Sequence, residues 1–118
     1  MKIMNRDRLY LIKPNFLDRG NKTFFCPSCA QLVGLLDYYP VLKQNLDVHL
    51  VDFQRPRPAL VELLGTENQS CPVLILRSEP QNPPSNIEMR QAGGHHFIEG
   101  ADEIATYLAH AYSTGLPH

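Results

Sequence analysis

The stretch "TFFCPSCAQLVGLLDYYP", residues 23–40, decides how the rest of the chain is read. Cys26 and Cys29 stand in a CxxC spacing, with Pro27 directly after the first and Phe24 and Phe25 directly before it. Beyond them Ala30, Leu32, Val33, Leu35, Leu36 and Tyr39 recur at helical spacing until Pro40, which is expected to stop the helix. Pro27 suits a first helical turn, where its missing N–H would have no partner anyway. The reading is a helix over 27–39 with Cys26 at its start. A helix N-terminus carries about half a positive charge and unpaired N–H groups, and both stabilise a thiolate. The spacing alone leaves three readings open: a redox pair, two legs of a metal site, or a coincidence in a short chain.

The flanking sequence narrows the choice. "RLYLI", Arg8 to Ile12, reads as a strand ending at Lys13-Pro14, and "PNFLDRGNKT" after it reads as a loop. Downstream of the helix, "LDVHLVDF", Leu46 to Phe53, alternates and reads as a second strand; "QRPRP" is a loop, and "ALVELLG" a short helix closed by Gly65. "PVLIL", Pro72 to Leu76, is apolar throughout and reads as a central strand buried on both faces. Residues 77–94 carry three prolines and two adjacent glycines and read as a long irregular insert. "HHFIEG" is a short strand. "ADEIATYLAHAYS" is a last helix, with Asp102 and Glu103 favouring its first turn and Gly115 ending it. The order strand, helix, strand, helix, strand, strand, helix predicts an α/β domain spanning 1–118: a mixed four-stranded sheet with helices on both faces, opened by a right-handed βαβ unit. Cys26 then lies at the start of the helix that follows the first strand. There Cys29, one turn on, can donate to a thiolate or attack a mixed disulfide.

Bulk properties exclude several classes. The 118 residues fit one domain, and the 43% hydrophobic content supplies a core. A net charge of −1 gives no basic field for nucleic acid, and no apolar run approaches a membrane span. "MKIMNRDRLYLIKP" does not have the pattern of a signal peptide. Three cysteines, an odd count, argue against a disulfide-stapled secreted fold, so the expected compartment is the cytoplasm.

With these residues in place, the chain resembles the thioredoxin-like superfamily, within it the glutaredoxins and the N-terminal domains of glutathione transferases. It is also similar in layout to a small bacterial thioredoxin-like family of unknown function. "FFCPSC" resembles the glutaredoxin CPxC motif. "SCPVLIL" resembles the segment in which a cis-proline opens the third strand, here Pro72, and "IEGADEIATYL" the lead into the last helix. The resemblance implies a thioredoxin-like fold of order βαβ-α-ββα and a thiol–disulfide oxidoreductase using Cys26 and Cys29. No cofactor is implied, and glutathione or a protein disulfide is the partner. It also implies substrate-positioning roles: Cys71 through its backbone, Pro72 through its loop, Ala101 and Asp102 toward the γ-glutamyl end of glutathione, and Lys13 toward the glycyl carboxylate. The chain departs from the family in its long loop from Asn15 to Phe25, in the 77–94 insert, in Ser28 where many relatives place Tyr, and in Cys71 itself.

Other readings stand beside this one. Cys26, Cys29 and Cys71, joined by His95 or His96, are an alternative set of ligands for zinc or another soft metal. A third reading is an interaction protein that uses the 77–94 insert. If Pro72 opens the third strand beside the CxxC, Cys71 competes with Cys29 for a disulfide with Cys26. A buried small hydrophobe is the plainer account of Cys71. Arg55 and Arg57 are read as solvated, Tyr38 and Tyr39 as packing, and His49 and His110 receive no role.

Overall fold

The computed structural model describes residues 4–118; Met1 to Ile3, part of the stretch weighed above for an export signal, lie outside the described residues. Strand β1 (Asp7–Ile12) sends Leu9 and Leu11 to one face and Tyr10 to the other, as the period of two requires. It pairs in parallel with β4 (Leu46–Val51) on one side. On its other side β5 (Val73–Ile75) runs antiparallel. Then come β7 (His95–Glu99) and β6 (Arg90–Ala92), giving a mixed five-stranded sheet of order β4-β1-β5-β7-β6. The expected four-stranded sheet is thus corrected to five. β5 sits at its centre with every residue buried, which is why "VLI" is apolar throughout.

Helices cover both faces. α1 (Pro27–Tyr38), α2 (Pro40–Asn45) and α4 (Ala101–Tyr112) bury Leu32, Leu36, Leu42, Ile104 and Leu108 against Leu9, Leu11, Leu74 and Ile98. α3 (Pro58–Leu64) closes the opposite face with Leu60 and Leu64 on Tyr10, Val73, Ile75 and Phe97. Each fully buried Leu or Ile contributes about 1.5–3 kcal/mol. Among the described residues no helix is long and apolar enough to cross a membrane.

Four elements depart from the sequence reading. Pro40 does not end the helical run; it occupies the first turn of α2, because a proline breaks one helix and suits the start of the next. The loop after β1 holds a small hairpin, β2 (Phe16–Asp18) and β3 (Lys22–Phe24), separate from the main sheet. Its Phe16 ring stacks on Phe53 at 4.1 Å. The irregular insert ends in a strand, β6, joined to β7 by the two-residue turn Gly93-Gly94. Both glycines have positive φ, 58° and 81°, as such hairpins require. Gly93 also presses on α3, where a Cβ would stand 2.0 Å from the Leu63 carbonyl oxygen. Finally, α4 stops at Tyr112 with Ser113 in the left-handed conformation, ahead of Gly115.

Candidate active site

The C-terminal ends of β1 and β7, the start of β5 and the N-termini of α1 and α4 meet at one end of the sheet. There Cys26 is the N-cap of α1, and its Sγ accepts the Cys29 backbone N–H at 3.2 Å. The sulfur takes the place of the hydroxyl or carboxylate oxygen that usually satisfies a first-turn N–H. Cys29, one turn on, faces the sheet and is 3% exposed. Its Sγ accepts the Ile12 backbone N–H at 3.4 Å, which ties the CxxC turn to the end of β1. Burial, together with a hydrogen bond to Cys26, pushes the Cys29 thiol up to about 12, so it is a neutral donor at physiological pH.

Cys71 arrives from the other side. Tyr10 lies opposite Val73 in the antiparallel β1–β5 pair, so the residues just before β5 lie beside the end of β1. The Cys71–Pro72 peptide is cis, as the sequence reading expects. The Pro72 carbonyl accepts the Gly100 N–H at 3.2 Å, which brings the start of α4 to the same place. Cys71 and Cys26 are both half-buried against the core cluster that contains Cys29. Burial raises the Cys71 thiol to about 11 even though Arg57 and Arg55 pull it down.

Arg57 is the residue the sequence reading misplaced. Expected in solvent, it is 5% exposed. Its guanidinium donates to the carbonyls of Asp52, Phe53 and Gln69 at 3.1, 2.6 and 2.6 Å, and its backbone N–H donates to Gln69 Oε1 at 2.7 Å. Its positive charge also acts on Cys71, pulling that thiol down against the burial that raises it. The available signal was its setting between Pro56 and Pro58: Pro58 opens α3, which makes Arg57 the N-cap and turns it inward.

The remaining expected residues divide. Ala101 is buried at the start of α4, and Asp102 accepts from Gln31 Nε2 of α1 at 3.0 Å, so both stand at the thiol end. Lys13 is instead held in an exposed ion pair with Asp52 at 3.2 Å. His95 and His96 lie at the far end of β7: Leu76 donates to the His96 carbonyl, whereas Val73 pairs with Glu99. At about 3.3 Å per residue, His95 is separated from the cysteine end by ~13 Å of strand. Neither histidine can join the cysteines, and among the described residues no group of three or more His, Cys, Asp or Glu is placed to hold a metal ion. Tyr39 packs on the core as expected, but Tyr38 is 83% exposed. His49 stacks on Tyr10 at 4.9 Å, and the His110 ring is 6.4 Å from Tyr107.

A pocket of about 340 Å³ opens beside the two CxxC cysteines. Its walls are apolar, with Leu11, Ile12, Pro14, Phe25, Val33 and Leu50 around the sulfurs. Phe25, at 59% exposure, forms its outer edge.

The fold and site together define a mixed α/β protein that carries a free CxxC at a helix N-terminus. The chain belongs to the family described as protein of unknown function (DUF3088), whose model matches residues 6–116. Searches of curated proteins and of solved structures found no match.

Proposed function

We propose that this protein is a thiol–disulfide oxidoreductase of the thioredoxin-like type, with Cys26 as nucleophile and Cys29 as resolving thiol. The observation that carries the reading is the capping of α1 by the Cys26 sulfur, which puts a half-exposed thiol on the helix N-terminus with a backbone N–H already directed at it. The Cys26 thiolate attacks one sulfur of a substrate disulfide, the S–S bond breaks, and one substrate thiolate leaves. Cys29 then loses its proton and attacks Cys26 Sγ, expelling the second thiolate. Two electrons have passed from the protein thiols to the substrate, and an external thiol restores the reduced pair. The parallel β1–β4 pair, the antiparallel β5–β7 pair and the arrival of Cys71-Pro72 beside the CxxC support the thioredoxin-like comparison.

The walls of the pocket bear on the substrate. An apolar group carried next to a disulfide matches Phe25, Val33 and Leu50 better than the charged arms of glutathione do. Of the residues that the resemblance assigns to glutathione, Lys13 is engaged by Asp52, while Ala101 and Asp102 stand at the site. The test is reduction of two small disulfides, glutathione disulfide and an uncharged aromatic one, with dithiothreitol as reductant. The expected result is turnover that Cys26→Ser abolishes and that favours the aromatic substrate. Turnover that survives Cys26→Ser would remove the proposal.

A further inference from the structure

The two-cysteine mechanism leaves a buried cation and a third sulfur without a task. Arg57 forms no ion pair with any carboxylate among the described residues. Burying a charge without a counter-ion costs several kcal/mol, so its placement calls for a reason. Three backbone carbonyls hold the guanidinium in one orientation, one of them that of Gln69, two residues before Cys71, and its charge acts on the Cys71 thiol. The three cysteines come to the same end of the sheet. Cys26 bonds the Cys29 N–H, Cys29 bonds the Ile12 N–H, and the β1–β5 register sets Cys71 beside that same strand end. Cys26 and Cys71 both pack, half-buried, on the core cluster that contains Cys29.

We propose that Cys71 is a second resolving thiol for Cys26, with the Arg57 guanidinium offsetting the charge it takes on before attack, so that the site closes either a Cys26–Cys29 or a Cys26–Cys71 disulfide. The inference rests on the oxidoreductase reading. Once Cys26 carries a substrate thiol as a mixed disulfide, Cys71 gives its proton to solvent and attacks Cys26 Sγ. The bond between Cys26 and the substrate sulfur breaks, and that sulfur leaves as a thiolate that takes up a proton. The substrate disulfide gains two electrons, and Cys26 and Cys71 lose them. Arg57 offsets the negative charge that Cys71 carries before attack, and Arg55 and the Cys26 sulfur are the other groups acting on it.

The experiment treats Cys29→Ser with one equivalent of 5,5′-dithiobis(2-nitrobenzoic acid), whose attack by Cys26 releases one coloured thiolate and whose resolution releases a second. Release of both, an intact mass free of aromatic thiol and a mapped Cys26–Cys71 disulfide are the expected results. Cys29→Ser/Cys71→Ser should stop after the first. Cys29→Ser that keeps the aromatic thiol on Cys26 overturns the inference while leaving the oxidoreductase reading intact. A Cys26 that never reacts overturns both. Should Cys29→Ser not fold, peptide mapping of the oxidised wild-type chain replaces it, and absence of any Cys26–Cys71 disulfide there overturns the inference. The role of Arg57 has its own readout. A charge in contact shifts a thiol by about one to three pH units, so Cys29→Ser/Arg57→Gln should resolve about tenfold more slowly at neutral pH and recover as pH rises. An unshifted pH profile overturns that role.

Discussion

Replacing Arg57 by Met keeps the length of the side chain and removes the fork that joins two loops. Three carbonyls lose a charged donor, that of Gln69 in a buried setting and those of Asp52 and Phe53 in partly buried ones. Hydrogen bonds to charged groups contribute about 1.5–3 kcal/mol each, so the gross loss is roughly 5–9 kcal/mol. The variant no longer buries a cation, which returns several kcal/mol. The net expectation is a loss of about 3–4 kcal/mol, a large part of the roughly 5–15 kcal/mol that holds a domain of this size together. With a urea slope of about 2 kcal/mol/M, the midpoint should fall by roughly 1.5–2 M. Arg57→Lys should recover less than half of that, because an ammonium is a point charge and cannot fork. The assay is equilibrium urea unfolding followed by circular dichroism. A loss below about 1 kcal/mol for Arg57→Met would refute the reasoning, since a Gln69 carbonyl truly shielded from water could not be orphaned so cheaply.

Cys26 should react with iodoacetamide at least tenfold faster than Cys29 at neutral pH, because Cys29 is 3% exposed; peptide mass spectrometry over time checks this. The Cys29 thiol, raised to about 12 by burial and its bond to Cys26, keeps its proton in the folded chain while the unfolded chain loses it from about pH 8.5. The unfolded state then binds fewer protons, so the stability due to Cys29 is full below that pH and is lost on the way to 12; Cys29→Ala should flatten the decline measured by urea unfolding between pH 8 and 11. Asp7, 7% exposed, accepts the Arg77 N–H at 2.8 Å and the Tyr112 hydroxyl at 3.2 Å. Asp7→Ala strands both donors and should cost about 2–3 kcal/mol in the same assay.

Much of the frame was legible because periodicity and punctuation carry physical constraints. The central strand announced itself by having no polar residue in "VLI", and the CxxC helix by Pro27 and its apolar stripe. Pro40 misled because proline ends one helix and begins another with equal ease, and only the packing of Leu42 on the core decides between them. The turn at Gly93-Gly94 carried a hairpin signal, but short β6, with Arg90 and Gln91 exposed, offers no alternation to confirm it. At the site, Cys26 and Cys29 could be placed by local rules. Lys13 and Arg57 could not, since a long cation points wherever its partners lie: Asp52 reaches Lys13 from distant sequence, and the loop that carries Gln69 joins the nearer Asp52 and Phe53 carbonyls on Arg57.

The approach of Gly93 to the Leu63 carbonyl bears on how this chain tolerates change in length. Because β6 is paired to β7 residue by residue and its turn is seated on α3, the register of the edge is set downstream of the segment that leads into it. Residues 78–89 contribute no strand or helix of their own. Each doubling of such a stretch adds only about 0.6 kcal/mol of closure cost. Insertions there should therefore be absorbed, whereas a single methyl group at position 93 would have to displace a helix.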